Sequence, residues 1–278
     1  MYKILGMTAI AALLAGCADE VAEVIVPTDE VITVCDAEDP ETCTSEVDIN
    51  NGVVSIGDLQ AVSYNGTTLR VQIALDGPDA LQVYELDDSV RTDDYQKYTF
   101  AASSLNRAYT ALAGRSPDGE VTAVVVMDEG QFNRYFAGAT VAQDEGSFDR
   151  PSAGTASYSG DYVGLINTTA GNEPSEVRGV VLLNANFNDK VEGSITGRLV
   201  VGGAALTDLV LFNADIKADG VFGGAVQDSG GDNVGSYGGA FGGSQAEYVG
   251  GAVSVETDTL QEYGIFVIET CGSLADDC

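Results

Sequence analysis

Between Tyr158 and Glu269 the chain reads as eight strand-like runs joined by hairpin-length connections: Tyr158–Ile166, Val177–Phe187, Lys190–Val201, Leu206–Ile216, Gly220–Gln227, Ser236–Gly243, Glu247–Glu256 and Gln261–Glu269. The joints, among them "ND", "GGAA", "KAD" and "SQA", hold turn residues and leave no room for a crossover helix. Eight consecutive strands connected in this way pair with their sequence neighbours. A sheet of that size removes its exposed edges by closing, so the expectation is an up-and-down antiparallel barrel over residues 155–270.

Twenty-two of the 34 glycines fall after Tyr158, many of them inside the strand-like runs. In "VEGSITGRLV" the alternation assigns Val191, Gly193, Ile195, Gly197 and Leu199 to the interior, and Glu192, Ser194, Thr196 and Arg198 to the outside. An eight-stranded barrel has an interior only wide enough for side chains. Large residues such as Phe222, Phe241 and Tyr263 therefore require small inward neighbours, and glycine supplies them while permitting bends. Eight strands is also the smallest transmembrane barrel. Charges on the polar face (Glu192, Arg198, Asp208, Asp215, Glu247) and the lack of aromatic girdles argue against that form.

The chain opens "MYKILGMTAIAALLAGC", a short apolar run closed by Leu14-Ala15-Gly16-Cys17, which reads as a lipobox. Residues 1–16 are expected to be removed as a signal peptide and Cys17 to carry lipid; the competing reading is an ordinary secretory signal. Ala18 and Asp19 favour the outer membrane, with the cell surface and the periplasmic face both open. Residues 17–49, acidic and interrupted by prolines, read as an anchor linker. Cys35, Cys43, Cys271 and Cys278 allow three disulfide connectivities; the expectation is local pairing, Cys35 with Cys43 and Cys271 with Cys278, the latter stapling a tail over 271–278. Metal-ligand spacing is absent, so no metal is expected.

Forty-three acidic residues against 12 basic ones give a formal charge of −31, which repels nucleic acid. The sequence has no histidine, which removes the commonest general base and any His-based triad. No catalytic residue is nominated and the chain is not read as an enzyme. With no histidine and little methionine to ligate haem, no cofactor is expected.

Upstream of the barrel, residues 50–148 carry hairpin signals: Asn65-Gly66 between alternating runs, and Pro117-Asp118-Gly119 before the β-branched run Glu120–Met127. Ala101–Ala113 reads equally as helix or strand. A small antiparallel β domain follows from this pattern, left by a linker "DRPSAG".

The lipobox, the segments "YSGDYVGL" and "VLLNANFNDKVEGSITG", and the hairpin "GAFGGSQAEYVGGAVSV" together resemble the transferrin-binding protein B family of surface lipoproteins. Gly239, Phe241, Gly243, Ala246, Glu247 and Gly250 occupy positions similar to the family's hairpin signature, and "FNRYFAGATV" resembles the end of its handle domain. The resemblance implies one lobe, a handle followed by a barrel, that binds a protein or solute ligand through loops. The longest barrel loops are 167–176 and 228–236; the alternative for each is a plain hairpin turn. The alternative for the whole chain is a structural or adhesive envelope lipoprotein without a ligand of its own.

Overall fold

The computed structural model describes residues 24–25, 30–35, 43–50, 52–73, 81–91, 95–102, 107–130, 135–144, 148–152, 154–167, 173–257 and 260–272. Among them are nineteen strands and no helix. The first eleven are β1 (Val24–Ile25), β2 (Glu30–Cys35), β3 (Cys43–Asn50), β4 (Val53–Gly57), β5 (Leu59–Tyr64), β6 (Leu69–Ile73), β7 (Gln82–Arg91), β8 (Tyr95–Ala102), β9 (Arg107–Arg115), β10 (Val121–Asp128) and β11 (Ala137–Gln143). The last eight are β12 (Thr155–Asn167), β13 (Ser175–Asn186), β14 (Lys190–Val200), β15 (Leu209–Asp215), β16 (Val221–Asp228), β17 (Asn233–Gly242), β18 (Tyr248–Thr257) and β19 (Leu260–Thr270). Strands β12 to β19 pair in sequence order, and β12 returns to β19 to close the barrel.

Tyr158, Tyr162, Phe222, Tyr237, Phe241 and Phe266 fill the barrel interior, fully buried. Each of several rings lies where a neighbouring strand has no side chain: Gly239 faces Phe222, Gly251 faces Phe266 and Gly264 faces Tyr162. The interior glycines thus make room for aromatic rings, as the narrow bore requires. Tyr263 departs from the expectation. It points outward, half-buried against the upstream domain, because the inward positions of β19 are Glu262, Gly264 and Phe266.

A second departure is in β14. Gly197 has φ +61°, a left-handed conformation, and the β13–β14 register shifts between Arg178 and Val180. One extra residue reverses which face the following side chains occupy. Arg198 is therefore buried in the barrel and Leu199 stands outside, the reverse of strict alternation.

The upstream strands form one antiparallel sheet of eleven, in the order β1-β5-β6-β7-β8-β9-β10-β11-β4-β3-β2. Its two edges, β1 and β2, are separated by only residues 26–29, five Cα steps that reach at most about 19 Å. The sheet therefore curls nearly shut around Val62, Tyr64, Leu69, Tyr84, Tyr98 and Val124. The stretch read as an acidic linker is corrected here: it supplies β1, β2 and most of β3. Its acidity concealed the β-branched alternation of "EVITVC". The Ala101–Ala113 ambiguity resolves as strand, since β9 buries both of its faces.

The outer face of β4 and β9–β11 packs on the barrel wall formed by β12 and β16–β19, joining Val54, Leu112, Val121 and Val141 to Leu165, Ala240, Ala252 and Ile265. After β11 the chain crosses one end of the barrel. Phe148 stacks on Phe241 at 6.2 Å, and the Arg150 guanidinium donates to the carbonyls of Phe187 (2.8 Å to Nε) and Ile216 (3.1 Å). The linker is thus a plug. At the opposite end the described turns, 201–208 and 229–232, are not covered by this segment.

Candidate functional site

The two loops singled out by length both lie at the unplugged end and have different fates. In 228–236 the strands run on to Asp228 and from Asn233, leaving a short turn. The Asp228 carboxylate accepts from the amides of Gly230 (2.8 Å) and Asp232 (3.0 Å), so this is a self-contained hairpin turn. The other loop adjoins the upstream sheet, although residues 168–172 lie outside the described residues.

Three attachments fix that junction. The Tyr95 hydroxyl donates to the Asp161 carbonyl and accepts from the Val267 amide, both at 2.9 Å. Lys97 Nζ reaches Glu173 at 3.4 Å and Glu176 at 3.3 Å, and Asn167 Nδ2 donates to the Asp128 carbonyl at 3.3 Å. Asp128 is itself fully buried. Its carboxylate accepts from the amides of Gly130 and Phe136, each at 3.0 Å, and pairs with Arg107 at 3.2 Å. Burial pushes its pKa up, and the two amides and Arg107 partly offset that push.

A cleft of about 460 Å³ is lined by Val83, Glu85, Thr99, Thr110 and Glu129 of the upstream domain and by Glu173 of the barrel. Its polar groups are carboxylates and hydroxyls, suited to accepting hydrogen bonds and to meeting positive charge. No nucleophile paired with a base lines it.

Beneath the loops, inside the barrel, Tyr162 donates to Glu262 Oε1 at 2.7 Å, Arg198 Nη2 pairs with Glu262 Oε2, and Arg198 Nη1 donates to the Thr207 carbonyl. Burial raises the Glu262 carboxyl against the lowering effect of Arg198, and raises the Tyr162 phenol well above its ordinary value. Tyr162 is thus a donor and not a nucleophile. Sequence reasoning missed this trio because Arg198 was assigned to the outside. The one local signal was Gly197 itself, since a glycine can take the left-handed conformation that shifts a strand's alternation.

The six signature positions come together in the β17–β18 hairpin, and each has a packing role. Gly239 and Phe241 face the interior; Gly243, with φ +89°, and Ala246, with φ +59°, make the turn. The Ala246 carbonyl accepts the Tyr158 hydroxyl at 2.7 Å. Glu247 accepts the Gln245 amide at 2.9 Å. Gly250 faces the upstream sheet, where a Cβ would stand 2.5 Å from the methyls of Val121 and Val141. The hairpin therefore docks the two halves together and does not reach the cleft. Of the cysteines, Cys35 and Cys43 are Cα partners across β2 and β3, and Cys271 is disulfide-bonded. Cys17 and Cys278 lie outside the described residues.

No family model and no curated protein matches the chain. Among solved structures it is similar to the intact transferrin-binding protein B termed Ap-TbpB, at 11% identity and a TM-score of 0.44, covering 81% of this chain and 61% of that one. A double mutant of transferrin-binding protein B from Haemophilus parasuis Hp5 is similar at 12% and 0.43, with 81% and 60% covered. The N-lobe domain of lactoferrin-binding protein B of Moraxella bovis is similar at 12% and 0.35, with 80% and 100% covered. The chain thus spans about three fifths of the longer structures. Both longer structures are of transferrin-binding protein B. Likeness at this level says nothing of what the present chain binds.

Proposed function

We propose that the chain is an outer-membrane lipoprotein, anchored through Cys17, that captures a protein or solute ligand and performs no catalysis. The carrying observation is the cleft at the unplugged end, where Glu85 and Glu129 of the upstream sheet and Glu173 of the barrel line one space. Rigid walls with a loop at the rim are what a capture site needs. The cysteines serve as local staples, Cys35 with Cys43 and Cys271 with Cys278; the first pair is supported by its facing positions in β2 and β3. Non-reducing peptide mapping checks both.

The functional test is protease shaving of intact cells combined with partner retention by the soluble chain starting at Ala18. Loss of the protein on shaving, with a retained partner that is released by the Glu85→Lys/Glu129→Lys double variant, supports capture at the cleft. A partner retained equally by the double variant moves the site elsewhere. Resistance to protease until the outer membrane is broken, with nothing retained, replaces capture by a structural envelope role.

A further inference from the structure

We propose that two copies of this chain associate through the barrel wall of β13–β15, about a two-fold axis lying across the strands. Among the described residues seven large apolar side chains are exposed, and six of them stand on or beside these three strands: Val180, Leu182, Leu199, Val201, Val210 and Phe212. The pairing register places Leu182, Ser194 and Val210 in one row across the wall. A groove of about 370 Å³ runs beside Leu182, Glu192, Val210 and Phe212. A soluble surface seldom concentrates apolar side chains in this way without a partner.

The charges around the strip point to a second copy of the chain. Over the rest of a surface with net charge −31, like repels like. Two acids beside the strip are offset, Arg178 pairing with Glu176 at 2.7 Å and Lys190 lying 4.0 Å from Asp215, while Glu192 and Asp208 keep their negative charge there. The two ends of the strip also differ. One end carries Lys190; the other carries Asp208, whose carboxylate accepts the Gly197 amide at 2.9 Å. A two-fold axis passing near Ser194 exchanges the levels of Lys190 and Gly197. Lys190 of each copy then meets Asp208 of the other, which is the self-complementarity an isologous contact requires.

Sedimentation velocity on the chain from Ala18, which keeps every described residue, tests this across concentration at low and high salt. The expected result is a monomer–dimer equilibrium that tightens as salt rises, because salt screens the −31 repulsion and leaves apolar contact intact. Leu182→Lys/Phe212→Lys changes two exposed side chains and lowers the net negative charge, yet is expected to weaken the dimer by about tenfold or more. Val83→Lys, at the seventh exposed position, leaves it unchanged. Lys190→Glu weakens the dimer, and Asp208→Lys in the same chain restores it. A chain monomeric at every concentration and salt, or a dimer unmoved by the double variant, overturns the proposal. A monomer that floats with phosphatidylcholine vesicles, when the double variant does not, reassigns the strip to a membrane surface.

Discussion

Two walls of the same barrel share one alternation and treat their outward positions in opposite ways. On the wall under the upstream sheet, β17 and β18 present Ala240, Gly242, Gly250 and Ala252, so that Val121 and Val141 approach the backbone itself. On the bare wall, β13 and β15 present Val180, Leu182, Val210 and Phe212, which stand proud of the sheet. The small residues belong to the contact that forms within the chain. The large ones on β13 and β15 stand on a surface that no part of the described chain covers. Apolar outward residues alone do not show which wall is covered, since Leu165 and Ile265 stand on the covered wall as Leu182 and Phe212 stand on the bare one.

That contrast is bounded by the interior, where the largest effect is expected. Glu262→Ala leaves Arg198 buried without its counter-charge and should cost about 3–5 kcal/mol in denaturant unfolding. A loss below about 1 kcal/mol would put the interior on a par with either wall. Next comes the covered wall: Gly250→Leu drives a side chain into Val121 and Val141 and should cost about 3 kcal/mol. Val210→Ser on the bare wall should stay within about 0.5 kcal/mol in the dilute monomer. Equal losses at the two positions would break the comparison. Tyr95→Phe removes the hydroxyl that both donates to Asp161 and accepts from Val267, and should cost about 1–2 kcal/mol.

The smallest effect concerns pH at the rim of the covered wall. Burial and neighbouring Asp118 raise the Glu120 carboxyl above its ordinary 4.5, with Glu247 and Asp144 adding to them and the Gly243 amide opposing. A carboxyl raised in the folded state holds its proton more tightly there than in the unfolded chain. Stability from this group is therefore greatest below the ordinary value and falls as pH rises toward the raised one. Glu120→Gln should flatten that part of the stability–pH curve, read as melting temperature from acid to neutral pH. An unchanged slope would assign the fall to the general −31 repulsion.

Much of this architecture was legible because the barrel strands are set by turn residues and by a two-residue alternation, both local signals. All eight runs are observed, with ends shifted by up to three residues. The interior glycines were legible in part: Gly193 lies against Leu183 inside the barrel, whereas Gly197, assigned to the same face, has open space around it and a left-handed φ. What failed depended on a single torsion or on a distant partner. Gly197 turned Arg198 inward by one left-handed residue, which composition does not register. Strands β1 and β2 lie at opposite edges of one sheet, β1 pairing with the distant β5 and β2 with the following β3, so adjacent pieces of chain find partners far apart in the sheet. The cleft joins residues from β7 to the loop after β12, and no sequence window spans both.

The nearly shut sheet also has a mechanical consequence. A load applied from the N-terminal side arrives first at β1, which is held by two residue pairs, Val24 with Ser63 and Ile25 with Val62. It then passes to β2 at the opposite edge. The seam thus gives way before any barrel strand bears tension, and release of residues 24–35 pays out about 40 Å of leash. A closed Cys35–Cys43 bond would arrest the peeling there, so the same twelve residues act as a fuse with a built-in stop.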